Sequence, residues 1–151
     1  MYFAPLKFNV QMVNIKKTRK ILSLFEDTNM GLAILKKNKI CLLKLLNKFY
    51  FVRSLDLTNS EISSIKGIEK FPNVKRLYLE RNKISDISYL NNLRKLKELN
   101  IYNNEITQIP DLSNCKSLKA LYIYHVQIID YKQLANIPNL KILYVNESEG
   151  K

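Results

Sequence analysis

Scarcity marks this chain before any pattern does: three glycines, two cysteines, one histidine and no tryptophan in 151 residues. Gly31, Gly67 and Gly150 lie too far apart for a glycine-rich loop that wraps a phosphate. His125 is the single histidine and is read as a surface residue rather than a ligand or general base. Cys41 and Cys115 form no metal-binding spacing. No nucleophile has a base partner at a usable distance along the chain, and the carboxylates are scattered. Catalysis, a cofactor and a metal site are therefore not expected. No apolar run approaches the roughly 18–20 residues of a membrane span. The opening MYFAPLKFNVQMVNIKK lacks the basic-then-apolar order of a secretory signal. One Asn-x-Ser triplet, Asn146-Glu147-Ser148, is read as accidental in a chain so rich in asparagine.

Negative charge is also scarce. There are 13 acidic against 25 basic residues, a net +12. Such an excess invites a nucleic-acid reading, but two facts temper it. Lys, Asn and Ile make up 54 of the 151 residues, and all three have A/T-rich codons, so base composition alone inflates lysine. The excess is also lopsided: residues 1–50 hold ten basic and two acidic side chains, residues 51–151 hold 15 and 11.

What is present is a repeat. Residues 52–73, 74–95, 96–117 and 118–139 are four gapless units of 22 residues, and internal repetition is read before local propensity because it decides the architecture. With positions numbered 1 to 22, all 28 places at positions 1, 4, 6, 11, 14, 17 and 20 are apolar, while the other 60 hold nine apolar residues, five of them Tyr. A partial unit, 140–151, continues with Leu143 and Val145 in register. Positions 4 and 6 are two apart and share one face of a strand. A single strand cannot bury that face alone, but units stacked about 4.8 Å apart in a parallel sheet can. The later apolar positions, three apart, suit a 3-10 or tight helical return. Each fully buried Leu or Ile contributes roughly 1.5–3 kcal/mol.

The motif L-x-x-L-x-L-x-x-N-x-I, carried by Leu77, Leu79, Asn82 and Ile84 and again by Leu99, Ile101, Asn104 and Ile106, resembles the leucine-rich repeat family. The strict 22-residue length resembles the subclass that includes the leucine-rich regulatory subunit of protein phosphatase 1. The resemblance implies an α/β fold: a right-handed β/3-10 solenoid, a horseshoe whose parallel sheet lines the concave side. It implies that this concave sheet is a docking surface, with a partner such as a phosphatase catalytic subunit.

The N-terminal fifty residues fit less well. Residues 30–51 are read as a divergent repeat carrying a longer outer helix, with Met30, Ala33, Leu35, Ile40, Leu43, Leu46 and Phe49 at the apolar positions and Asn38 at position 9. The alternative is an amphipathic helix over 39–50. Residues 1–29 are read as a degenerate repeat or cap within one continuous solenoid, since terminal repeats must close an open core. No cap is visible after Val145. An uncovered last strand is a pairing hazard, which leaves a fragment of a longer repeat protein, a truncated product or a dimer as the alternatives. Cys115 falls at a core position and Cys41 in a non-adjacent unit, so both are expected reduced, in the cytosol or nucleus.

Because the register is secure, the outward strand positions can be assigned. Position 5 holds Asp56, Tyr78, Asn100, Tyr122 and Tyr144; position 7 holds Thr58, Glu80, Tyr102, Tyr124 and Asn146; position 8 includes His125. Residues 22 apart are sheet neighbours, so Tyr102 should touch Tyr124 and Tyr122 should touch Tyr144. Tyrosine offers large contact area and few rotors, as binding hot spots require. The candidate protein-binding face is Tyr78, Glu80, Asn100, Tyr102, Tyr122, Tyr124, His125 and Tyr144. A second reading places nucleic acid or a ribonucleoprotein on the basic N-terminal end, with Lys16, Lys17, Lys36 and Lys37 as its patch. In the repeat frame Lys36 and Lys37 fall at positions 7 and 8, so the face would run from basic through Asp56 and Glu80 to aromatic. Basic residues at position 2 of every unit (Arg53, Lys75, Lys97, Lys119, Lys141) are assigned to solubility. A pathogen surface protein is a third reading, without an export signal to support it.

Asn82 and Asn104 at position 9 are expected to pair backbone groups of the turn with the next coil; Ser60 and Val126 depart from this pattern. Asn104→Ala should cost on the order of 1–3 kcal/mol. An unchanged denaturation midpoint would remove the role.

Overall fold

The computed structural model describes residues 22–37, 49–124 and 132–145. Five short strands form one parallel sheet in chain order: β1 (Ser54–Asp56), β2 (Arg76–Tyr78), β3 (Glu98–Asn100), β4 (Ala120–Ile123) and β5 (Ile142–Val145). The register is the 22-residue one throughout, with Leu55, Leu77, Leu99, Leu121 and Leu143 paired one above the next. Among the described residues the returns include 3-10 segments at Ile68–Lys70, Ser88–Asn92 and Lys132–Asn136.

Between strand and return lies the core, a narrow column one coil thick. Leu55, Leu57, Leu77, Leu79, Leu99, Ile101, Leu121 and Ile123 are all fully buried. The 3-10 face contributes Phe71, Leu93 and Cys115 at position 20. Cys115 donates its thiol to Leu90 O at 3.1 Å, and burial pushes that thiol up to about 11, away from reactivity.

Asn82 and Asn104 do what position 9 requires. Asn82 Oδ1 accepts from the N–H groups of Ser60 (3.0 Å) and Ile62 (3.1 Å), while its Nδ2 donates to Leu57 O (2.9 Å) and Leu79 O (2.8 Å). Asn104 repeats this one coil later, accepting from Ile84 N and donating to Leu79 O and Ile101 O. One amide thus ties two coils and satisfies carbonyls that the column would otherwise leave dry. Asn38 and Val126 lie outside the described residues, as do Lys16, Lys17, Cys41 and His125.

The divergent-repeat reading of 30–51 is corrected over 30–37; residues 38–48, and with them most of the alternative helix over 39–50, lie outside the described residues. Residues Thr28–Lys37 form an α-helix, α1, which packs against β1 in place of another strand. Met30, Ala33 and Ile34 are buried while Leu35 is only half-buried, the i, i+3, i+4 face of a helix rather than the alternation of a strand. Lys36 and Lys37 are therefore in the last turn of α1 and not on the sheet face. Lys37 Nζ instead reaches Asn59 O at 3.4 Å. Phe49 keeps its place in the column, 4.7 Å from the ring of Phe71 and 6.2 Å from that of Phe25.

Asp27 locks α1 to the first coil, a role that the sequence does not reveal. Its Oδ1 accepts from Asn29 N (2.7 Å) and Met30 N (3.3 Å), an N-cap. Its Oδ2 accepts from Ser63 N (2.6 Å), Ser63 Oγ (3.0 Å) and Ser64 N (3.2 Å). Phe25 fills the space between two glycines. A Cβ on Gly31 would meet Leu22 Cδ2 at 2.9 Å and Phe25 Cδ2 at 3.4 Å; one on Gly67, whose φ of 101° already favours glycine, would meet Phe25 Cδ1 at 2.9 Å.

Burial pushes the Asp27 carboxyl up, but hydrogen bonds from Ser63, Ser64 and Met30 outweigh it and hold the pKa below its ordinary 3.8. A folded-state pKa below the unfolded one stabilises the fold above the unfolded value, and the contribution is lost as pH falls through the folded value. Asp27→Asn should cost roughly 1–3 kcal/mol near neutral pH, and its deficit relative to wild type should shrink below about pH 4. Urea unfolding at several pH values measures both; a pH-independent deficit would refute the carboxylate's role.

Candidate functional site

The strands are three or four residues long, yet they aim a whole face outward. Position 4 and 6 side chains point into the column, so positions 3, 5 and 7 point away. Immediately after, Asn59, Arg81 and Asn103 at position 8 adopt left-handed φ values of 47°, 55° and 52°. There each donates its N–H to the position-7 carbonyl of the next coil: Asn59 to Glu80 O, Arg81 to Tyr102 O, Asn103 to Tyr124 O, at 2.8–2.9 Å. This turn leaves the position-7 side chain standing on the sheet face. Asparagine tolerates the left-handed region better than most residues; Arg81 has no such advantage.

The face has two halves. The first is charged, with Asp56, Glu80 and Glu98 beside Arg76 at position 3. Glu80 accepts from Thr58 Oγ1 at 2.8 Å and from Asn100 Nδ2 at 2.7 Å, bridging its neighbours on both sides. Asp56 Oδ1 accepts from Thr58 N, and Asn100 Oδ1 from Tyr102 N, holding the position-5 side chains along the strand. Tyr78 donates its hydroxyl to Glu98 Oε1 at 3.4 Å. Glu98 adds to the face expected from sequence, since position 3 shares the parity of 5 and 7.

Aromatic rings make up the second half. Tyr122 and Tyr144 stack with centroids 5.0 Å apart and planes within 7°. Tyr102 and Tyr124 stack at 5.9 Å and 21°. Both contacts expected from the 22-residue register are present. Such pairs contribute roughly 0.5–1.5 kcal/mol beyond area burial. Tyr144 remains 57% and Tyr124 44% exposed. Of the residues assigned to this face, Tyr78, Glu80, Asn100, Tyr102, Tyr122, Tyr124 and Tyr144 share it; His125 lies outside the described residues. Of the residues assigned to the basic patch, Lys36 and Lys37 sit in the last turn of α1 rather than on a strand. No three His, Cys, Asp or Glu side chains among the described residues are grouped to hold a metal ion. None of the described helices is long and apolar enough to cross a membrane.

A family model described as "Leucine Rich repeats (2 copies)" matches residues 50–92, 72–114 and 94–136, together more than half of the chain. The chain belongs to the leucine-rich repeat family. Members are typically protein-binding modules. Among solved structures, an internalin of Listeria monocytogenes is similar at 32% identity and a TM-score of 0.71, over 82% of this chain and 37% of that one. A leucine-rich repeat protein of Leptospira interrogans is similar at 30% identity and a TM-score of 0.59, over 70% of this chain and 27% of that one. Internalin C2 of Listeria monocytogenes, at 22% identity and a TM-score of 0.62 over 83% of this chain and 67% of that one, shares the fold. The chain thus spans well under half the length of the first and the Leptospira protein. No match was found among curated proteins.

Burial first, then the charge of Glu98, raises the Tyr78 phenol above its ordinary 10.0. Glu98→Gln should lower that pKa. An ultraviolet pH titration of wild type against the variant measures it; an unmoved Tyr78 transition would show that Glu98 does not act on the phenol.

Proposed function

We propose that this protein is a non-enzymatic binding module that docks a protein partner on the open sheet face. The paired tyrosine stacks carry the reading. Four rings are held in two stacks before any partner arrives, so less rotamer freedom is lost on docking than for isolated side chains. Beside them stand Asp56, Glu80 and Glu98, which supply acceptors. Aromatic anchors flanked by polar groups are the composition of an interface core and its rim. The family's usual role supports the same reading.

A finer proposal follows from the 22-residue resemblance: a phosphatase catalytic subunit as partner, in the cytosol or the nucleus. It rests on that resemblance alone. Nucleic-acid binding at Lys16, Lys17, Lys36 and Lys37 gains no support, because the first two lie outside the described residues and the last two belong to α1.

Tyr102→Ala combined with Tyr124→Ala should abolish partner capture in affinity pull-down read by mass spectrometry, a loss on the order of thirtyfold or more for a hot spot. Circular dichroism should show the fold retained, since neither ring belongs to the column. Undiminished capture by the folded double variant would refute the tyrosine face. Including a phosphatase catalytic subunit as purified bait tests the finer proposal separately.

A further inference from the structure

Charge is segregated along one rim of the coils, which meets the sheet face at position 3. Residues 49–124 and 132–145 carry 14 Lys and Arg and eight Asp and Glu. Nine of the 14, but only Glu98 of the eight, lie where the return enters the strand, at positions 21, 22, 2 and 3. The position-2 row is continuous in the backbone itself. Lys75 N donates to Arg53 O, Lys97 N to Lys75 O, Lys119 N to Lys97 O and Lys141 N to Lys119 O, at 2.8–2.9 Å. Five cations therefore stand on consecutive coils, about 4.8 Å apart. Arg94, Lys95 and Lys116 lie just before the row and Arg76 just after it.

All nine are exposed. The ion pairs among the described residues, Lys66–Glu26, Lys70–Glu69 and Lys83–Glu61, use none of them. Where two of them bond, the acceptors are neutral: Lys95 Nζ donates to Asn73 Oδ1 at 2.6 Å and Arg53 Nη1 to Tyr50 O at 3.1 Å. Like charges at this spacing repel, and a polyanion laid along them relieves the repulsion. At one end of the row, on the same rim, Tyr50 and Phe51 are 57% and 69% exposed. Their rings meet edge to face at 6.5 Å, and the Arg53 bond to Tyr50 O holds them beside the first cation of the row.

We propose that this rim is a second binding surface, for single-stranded nucleic acid. Phosphates follow the position-2 row and an unpaired base stacks on Phe51. A line of cations beside exposed aromatic rings is the combination that holds single strands without reading sequence. An acidic peptide would satisfy the cations but leave the rings without a planar partner. A membrane headgroup layer would call for a plane of charge, not a line. A duplex hides the base faces that Phe51 would stack on.

The test is fluorescence anisotropy of the full chain with a labelled single-stranded oligonucleotide of about a dozen nucleotides, long enough for such a groove, over a range of salt. Binding should weaken with salt. Lys97→Glu with Lys119→Glu should weaken it further and reduce the slope of log affinity against log salt by roughly 0.7 for each phosphate no longer neutralised. Phe51→Ala should weaken it about five- to a hundredfold while leaving the slope unchanged, a split that general charge attraction would not produce. Tyr102→Ala with Tyr124→Ala should leave oligonucleotide affinity unchanged, so this surface and the protein-binding face fail independently. All substituted residues are exposed or on the sheet face, and thermal unfolding checks that each variant folds. Absence of binding at low salt, an unaffected Phe51→Ala, or equal affinity for a duplex, polyglutamate or anionic vesicles would each overturn the proposal.

Discussion

A three-residue strand has one apolar side to hide and nothing of its own to hide it against. Leu77 is fully buried only because Leu55 and Leu99 lie on either side of it in register. Every other property descends from that constraint. Coils must follow one another at a constant length, polar turn groups must be paired between coils by Asn82 and Asn104, and the first coil must be closed by something other than a strand. The closure is α1, held by the Asp27 carboxylate and wedged by Phe25 between Gly31 and Gly67. At the other end of the sheet Leu143, in the same register, is 42% exposed, since no described coil lies over β5.

How much of this was legible depends on the range of the interaction. The column, the strand pairing and the tyrosine stacks follow from a register visible over four units, and they are where the register puts them. The helix over Thr28–Lys37 was not legible, for a specific reason. Repeat positions 1, 4 and 6 would bury residues 30, 33 and 35, whereas a helix buries 30, 33 and 34. Two of the three coincide, and the choice between Ile34 and Leu35 is made by packing on β1. With the helix went the assignment of Lys36 and Lys37 to the sheet face. Asp27 was invisible because its Ser63 and Ser64 partners are 36 and 37 residues away and no local pattern links them. Glu98 stands out from no pattern, because position 3 holds Ser54, Arg76, Glu98, Ala120 and Ile142, with no chemistry in common.

The column also sorts chemistry by location. With apolar side chains consumed by the interior, polar groups are left to the sheet face, the returns and the two rims. On the sheet face they divide into a hydrogen-bonded charged half around Glu80 and an aromatic half built from stacked rings. On the strand-entry rim they are almost entirely cationic. The row at position 2, assigned to solubility from its periodicity, acquires a geometry once its backbone bonds place the five residues on adjacent coils, beside Tyr50 and Phe51. Two surfaces with different partners can coexist because residues two and five of a coil belong to different sides of it.

The constant register has a bearing on how such a molecule changes size. Removing or adding one amino acid between Leu77 and Leu99 would move Leu99 off the 22-residue register that pairs it with Leu77. Removing or adding a full set of 22 would leave every interface chemically alike, and would shorten or lengthen the aromatic face and the cationic rim by one step together. Growth of this architecture is quantised, and its two surfaces are obliged to scale in tandem.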